Sequence, residues 1–370
     1  MILIIAFICA LVLMAIQRFI YARFWSKGLS VETTYKYTEL EAGESNELIE
    51  IITNNKRLPL PMLHVKFDTP KSFIFENEAN SSVSDNYYRD DVFTVMGHQR
   101  IKRTLKFTCE KRGCYYMHDT NITSSDLFLS LILTGKRINN SIIHVFPKKL
   151  DLKFFDIPFQ TISGDFISQR TLVEDPFEFK GIREYQPYDG IKKINQKSTA
   201  KNNKLMVNTY FMTSSQEVII LLNVNMQAYK SDSRLVEGII SLASSIAERF
   251  VSIGVPVGLY TNGADTYTGD QLIIESGSGS KHMFRIDTAL ARVDVSKETY
   301  DFSRVLSNTF KHISSNAYYI VISNDRRENI RNVYENAKKS GLASYFIVPE
   351  LASLDVQENI TDMIKWNIEY

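Results

Sequence analysis

The chain has 370 residues, long enough for two ordinary domains with a core each. With 44% hydrophobic and 23% charged residues, 16 Gly and 9 Pro, its composition is that of globular protein and excludes long disordered stretches. A formal net charge of +1 carries no global signature for nucleic acid or an acidic substrate, and three cysteines are too few for a disulfide scaffold, which fits a reducing compartment.

The chain opens on an apolar run, Ile2 to Ile16 (ILIIAFICALVLMAI), prolonged by Phe19, Ile20, Ala22, Phe24 and Trp25. Crossing a bilayer core of about 30 Å takes roughly 20 residues, so the pure run is short. Extension to about Ala22 suffices if Arg18 snorkels to the headgroups, where Tyr21 and Trp25 would also sit. No Lys or Arg precedes the run and no A-x-A-like cleavage site follows it, which argues against a signal peptide. The expectation is a single-pass cell-membrane anchor with its flank over residues 1–27. Because Arg18, Arg23 and Lys27 all follow the run, the positive-inside rule puts the bulk of the chain in the cytoplasm.

Over residues 28–147 the pattern is β. Val31–Thr38, Leu48–Thr53, Met62–Thr69, Arg100–Cys109, Gly113–Ile122 and Ile142–Phe146 alternate or are rich in β-branched and aromatic residues. Turn signals such as Asn54-Asn55, Thr69-Pro70 and Arg112-Gly113 separate them, which predicts an Ig-like two-sheet sandwich. The polar stretch Glu76–Asp91 reads as a surface loop. Cys109 and Cys114, with His118 beyond, lack the second Cys/His pair of a structural zinc site and read as strand residues facing each other across a hairpin.

Residues 148–213 are neither cleanly β nor cleanly helical and form a predicted linker. Over 214–370 the pattern is α/β. Glu217–Asn223, Val255–Thr261, Ala317–Ser323 and Ser344–Val348 read as buried strands, and Ser233–Ile253, Ser280–Ala291, Phe302–Ile313 and Glu328–Ser340 as helices. That alternation implies a doubly wound parallel sheet.

Within the linker, residues 174–207 read EDPFEFKGIREYQPYDGIKKINQKSTAKNNKLMV. The segment closely resembles the signature of a bacterial family known as domain of unknown function 58. Glu178, Phe179, Gly181, Arg183, Tyr185, Pro187, Asp189, Ile194, Ala200, Leu205 and Val207 match it in order. Lys111-Arg112-Gly113 with Ser125-Asp126-Leu127-Phe128 resembles a second motif of the family, and Val145-Phe146-Pro147 a third. The chain departs from the signature at Tyr188, at Lys192 or Lys193, at Gln196 and at Thr199-Ala200-Lys201. Lysine lacks arginine's planar fork, so an ion pair held there in relatives is loosened here. Family members usually carry two N-terminal helices where this chain shows one. The resemblance implies a membrane-anchored protein with a von Willebrand factor A-like C-terminal half, commonly encoded beside a MoxR-type AAA+ ATPase.

By its own chemistry the segment predicts a turn at Gln186–Asp189, then a helix N-capped by Asp189. Ile191 and Ile194 would form its apolar edge, and Lys193, Lys197 and Lys201 would fall on one stripe. Arg183, Asp189, Lys193, Lys197 and Lys201 are therefore candidate partner-binding residues, for an acidic partner or the anionic membrane surface. The competing reading is a solvated face. Arg183 and Glu184 read as an ion pair fixing the linker to the α/β domain.

The von Willebrand factor A resemblance also implies a Mg²⁺ rim at the carboxyl ends of the strands, which requires hard, negatively charged oxygen ligands. The first strand ends in Asn223-Val224-Asn225, the second in Thr261-Asn262 and the third in Ser323-Asn324-Asp325. Asn223, Asn225 and Asp325 thus mark a degenerate rim, with only Asp325 offering a carboxylate, so no metal or cofactor is expected. The crevice stays polar and could accept a peptide or a partner loop.

Phosphate-loop, G-x-S-x-G, H-E-x-x-H and kinase signatures are absent. The reading is a non-enzymatic membrane-anchored scaffold or adaptor. It would act through protein contacts, with a MoxR-type ATPase or its client as partner, in envelope-related assembly. The alternatives are an extracytoplasmic ligand-binding or adhesion protein and, less favoured by the motifs, a hydrolase.

Overall fold

The computed structural model describes residues 2–77, 81–84, 86–117, 119–170, 174–187, 189–190, 194–212, 217–225, 232–311, 317–325, 327–351 and 363–368. Two compact units divide between Lys148 and Lys149.

The first unit opens on helix α1 (Ile2–Phe24), long and apolar enough to cross a membrane. Its strands are β1 (Leu29–Tyr35), β2 (Glu39–Glu41), β3 (Ser45–Asn54), β4 (Leu60–Pro70), β5 (Phe73–Phe75) and β6 (Ser81–Val83). They continue with β7 (Asn86–Val95), β8 (Arg100–Cys109), β9 (Gly113–Tyr116), β10 (Thr120–Ser125), β11 (Ile132–Arg137) and β12 (Ile142–Phe146). Sheets ordered β1-β3-β8-β5 and β11-β10-β4-β7-β6 form a β-sandwich, with β2-β12-β9 as a third, smaller sheet. Period-two alternation dictates which face is buried. On β3 it turns Asn46, Leu48, Glu50, Ile52 and Asn54 inward.

That inward row splits the core in two. Leu48 joins Tyr35, Phe67, Phe73 and Phe107 in one apolar cluster, and Ile52 joins Val31, Leu60, Val65 and Ile122 in another. Between them lies a charged layer of Glu50, Arg89 and Asp91, all essentially inaccessible to solvent. The stretch predicted as a polar surface loop over Glu76–Asp91 therefore carries β6 and most of β7, and two of its charges are core residues. Sequence polarity hid them because a charge is buried only when a distant partner compensates it.

Tyr21 and Trp25, expected at the headgroups, are instead buried in the second cluster. The Tyr21 hydroxyl donates to the Pro59 carbonyl at 2.8 Å. A Cβ at Gly135 would come within 3.1 Å of the Trp25 ring, so glycine admits the indole there. Gln17, Tyr21 and Trp25 recur every fourth residue, and this one stripe docks the end of α1 and its following turn on the sandwich. Gly28, at φ 64, then turns the chain into β1. Cys109 and Cys114 do not face each other across a hairpin. Cys109 pairs in register with Phe73, whereas Cys114 pairs with His144, and neither is in a disulfide. His118 lies outside the described residues.

The second unit includes the segment predicted as a linker. After a short 3-10 turn come α2 (Asp156–Arg170), β13 (Glu174–Glu184), α3 (Gln196–Asn202) and β14 (Met206–Met212). Leu152, Phe155 and Ile162 pack into the core of this unit, a role their spacing did not reveal. The remaining elements are β15 (Glu217–Leu222), α4 (Ser233–Ser252), β16 (Val257–Asp265), β17 (Gln271–Gly277), α5 (Ser280–Arg292) and β18 (Val293–Asp294). They end with α6 (Phe302–Phe310), β19 (Ala317–Ile322), α7 (Glu328–Lys339), β20 (Ser344–Leu351) and β21 (Met363–Ile368).

The sheet order is β17-β16-β15-β19-β20-β21, with β18 beside β16. From β16 to β21 the strands are parallel, but β17 runs antiparallel at the edge, a strand the apolar pattern missed. Helices cover both faces. Val218, Ile220 and Leu222 meet the core shared with α4 and α5, while Ile219 and Leu221 meet that shared with α6 and α7. Burial on both faces explains why β15 reads as an unbroken apolar run.

Candidate functional site

In a doubly wound sheet, the crevice at the carboxyl ends of the strands opens where the strand order reverses, here at β15 between β16 and β19. Asn223 follows β15 and donates from Nδ2 to Ser323 Oγ at 2.9 Å. Its Oδ1 accepts from Asn262 Nδ2 at 2.9 Å and from the Asn225 amide at 3.1 Å. Asn262 Oδ1 in turn accepts from the Val224 amide at 2.8 Å. Asn223, Thr261, Asn262 and Ser323 are fully buried.

The polar side chains of the rim are therefore hydrogen-bonded to one another. Carboxamides both donate and accept, so they satisfy one another without a cation, where carboxylates would repel. Asp325, the carboxylate that the sequence places at a strand end, is held by Arg327 through a fork with contacts of 2.6 to 3.0 Å. Among the described residues no group of three or more His, Cys, Asp or Glu side chains stands together.

The signature segment folds as a β-hairpin of β13 and β14, with Arg183 opposite Val207 and Glu184 opposite Met206. Asp189 does not cap a helix. Its carboxylate accepts two hydrogen bonds of 2.6 Å from the Arg183 guanidinium and one of 2.8 Å from the Gln186 amide. Glu184 pairs with Lys204 at 2.7 Å. Ile194 bridges Val207, and the helix begins only at Gln196, N-capped by Asn195, whose side chain accepts from the Ser198 amide at 2.9 Å. Lys197 and Lys201 are exposed one turn apart on α3, whereas Lys193 lies outside the described residues.

Two polar clusters escaped the sequence reading because their members are far apart in the chain. Lys149 Nζ meets Ser244 Oγ at 2.5 Å and Asp287 Oδ1 at 3.0 Å, and Ser244 donates to Asp287 at 2.5 Å. The Ser244 hydroxyl is fully buried, so the triad ties the start of the second unit to α4 and α5 rather than facing a substrate. In the sandwich, Arg89 Nε donates to Asp91 Oδ2 at 2.6 Å, and Arg103 Nη1 lies 2.8 Å from Asp91 Oδ1. Both Glu50 oxygens lack a hydrogen-bond partner, and burial, reinforced by the Asp91 charge, pushes its carboxyl up to about 7. Burial likewise pushes the Cys109 thiol up to about 12, leaving it inert at neutral pH.

No protein-family description and no curated protein matches the chain. Among solved structures, the non-cellulosomal cohesin of Archaeoglobus fulgidus is similar at 12% identity, over 35% of this chain and 97% of that one, with a TM-score of 0.23. The CARDB domain of a Pyrococcus furiosus protein is similar at 13% identity, over 32% and 93%, with a TM-score of 0.21. A type I cohesin of Pseudobacteroides cellulosolvens is similar at 12% identity, over 31% and 91%, with a TM-score of 0.22.

Proposed function

We propose that the chain is a non-enzymatic, membrane-anchored scaffold. The observation carrying this reading is the docking of α1 by Gln17, Tyr21 and Trp25, which makes the apolar helix one body with the sandwich. A helix so joined is a mount, and it would hold the sandwich at a bilayer surface. The mutually bonded rim around Asn223, and the burial of Ser244, support contact rather than catalysis as the task of the second unit. That unit is read as von Willebrand factor A-like and the whole chain as a domain of unknown function 58 protein, on the signature that folds as the β13–β14 hairpin.

On that reading the bulk of the chain is cytoplasmic, in line with Arg18, Arg23 and Lys27 after the apolar run. The partner is a MoxR-type AAA+ ATPase or its client, met through the exposed Lys197 and Lys201 of α3. Photocrosslinkers at these two positions in native membranes test it. An ATPase adduct is expected. Adducts at neither position, with no ATPase co-purifying under gentle, nucleotide-containing conditions, would refute the partner assignment.

A further inference from the structure

Helix α1 is free of the sandwich only up to Ile16; from Gln17 onward its docking stripe runs beside the β10–β11 hairpin. Gln17 Nε2 donates to Asp126, and Gln17 Oε1 accepts from the Leu127 amide at 3.4 Å. Two turns further on, Trp25 packs at Gly135. The turn joining β10 to β11 therefore stands level with Gln17, and whatever depth Gln17 takes in a bilayer, this turn shares.

The turn is apolar and turned outward. Leu127, Phe128 and Leu129 are 54%, 61% and 61% exposed, and Ile132 just after it is 76% exposed. Leu129 is held at φ 55, a region a leucine side chain rarely adopts and keeps only when its surroundings impose it. They do so here through the buried Asp126. Its carboxylate accepts from the Ser130 amide and hydroxyl at 2.6 Å each and from the Leu131 amide at 3.1 Å. Three adjacent large apolar side chains are thus displayed by a braced frame. Met96, 59% exposed, belongs to the β7–β8 loop at this same end, since Val95 pairs with Leu60 beside the Pro59 carbonyl that Tyr21 engages.

Continuity with α1 then selects the occupant. The exposed apolar run of α1 ends at Ile16, and the next residue, Gln17, is bonded to Asp126 and the Leu127 amide. A bilayer that takes up this run therefore meets the apolar Leu127–Leu129 turn at its acyl boundary. The geometry points to the β10–β11 turn as a second membrane-inserting element, a lipid-binding wedge beside the anchor that fixes the sandwich's tilt and depth. The inference rests on reading α1 as a bilayer span.

Bimane at Phe128→Cys in the full chain, reconstituted in phosphatidylcholine–phosphatidylglycerol vesicles, tests it. The background is Cys9→Ser, Cys114→Ser, with Cys109 shielded in the core. Ile5→Cys reports the span, and Glu44→Cys reports water from the opposite end of β3. Phe128→Cys is expected to show lipid-nitroxide quenching several-fold above Glu44→Cys and iodide quenching several-fold below it. Iodide access at Phe128 with lipid quenching at Ile5 would overturn the wedge while leaving the anchor intact. Protection from both quenchers at Phe128 would assign the turn to a protein contact and overturn it equally. Loss of lipid quenching at Ile5 as well would remove the span and the wedge together.

Discussion

Glu50 and Arg103 are register partners across β3 and β8, yet the guanidinium turns to Asp91, 2.8 Å away, and leaves the Glu50 carboxyl without a hydrogen bond. Buried carboxyls in that position favour the proton. The native state therefore keeps a proton on Glu50 up to about pH 7, whereas the unfolded chain releases it near 4.5. Glu50's contribution is thus fully present below pH 4.5 and is lost as pH rises through about 7, a cost of at most about 3 kcal/mol. Glu50→Gln keeps the neutral shape. It is expected to flatten the pH dependence of denaturant midpoints between pH 5 and 8 and to stabilise the protein at pH 8. An unchanged slope would count against a protonated Glu50.

Trp25 offers a direct readout of how the anchor docks, since the chain has only one other tryptophan, Trp366. In a Trp366→Phe background, Trp25 emission is expected to be blue-shifted and weakly quenched by both iodide and headgroup nitroxides. An indole lying at the headgroups would be quenched by the latter. Trp25→Ala is expected to destabilise the sandwich by about 3 kcal/mol or more in detergent-solubilised denaturation, because it leaves a cavity against Gly135 and Ile122.

Removing Asn262 tests the hydrogen-bonded rim. Asn262→Ala orphans the buried Val224 amide and one Asn223 lone pair, and a loss of about 2 kcal/mol is expected on chemical denaturation. Millimolar Mg²⁺ is expected to leave the melting temperature of the parent protein unchanged. A rise of several degrees would reveal a cation site at the rim.

Arg183→Lys keeps the charge but loses the two-pronged contact with Asp189. Arg183 is partly exposed, so solvent screening limits the effect to about 1 kcal/mol. Hydrogen exchange of the Tyr185 and Val207 amides is expected to quicken by several-fold, while exchange in β15 and β19 stays as it was.

Local periodicity was legible where an element buries an apolar face. The apolar run of α1, the alternation in β3, β4 and β8, and the apolar strands and amphipathic helices after Glu217 all lie close to where the sequence puts them. Asn223 and Ser323 directly follow β15 and β19, as the sequence puts them, whereas Asn262 lies inside β16, which runs on to Asp265. Elements whose polarity serves a distant partner were not legible. β7 carries Arg89 and Asp91 into the core, β17 is an edge strand too polar to stand out, and β13 and β14 fall in a stretch read as a linker, neither cleanly β nor cleanly helical.

What the sequence by itself determined is the set of quantities a chain carries locally: which segments are apolar, with what period, and where they stop. Only the tertiary structure decided that Tyr21 and Trp25 belong to the sandwich rather than the headgroups, that Asp189 serves Arg183 instead of a helix, and that Glu50 is left without a bond. Each of these depends on which polar group, remote in sequence, arrives within about 3 Å, because desolvation is tolerated only where a partner compensates it.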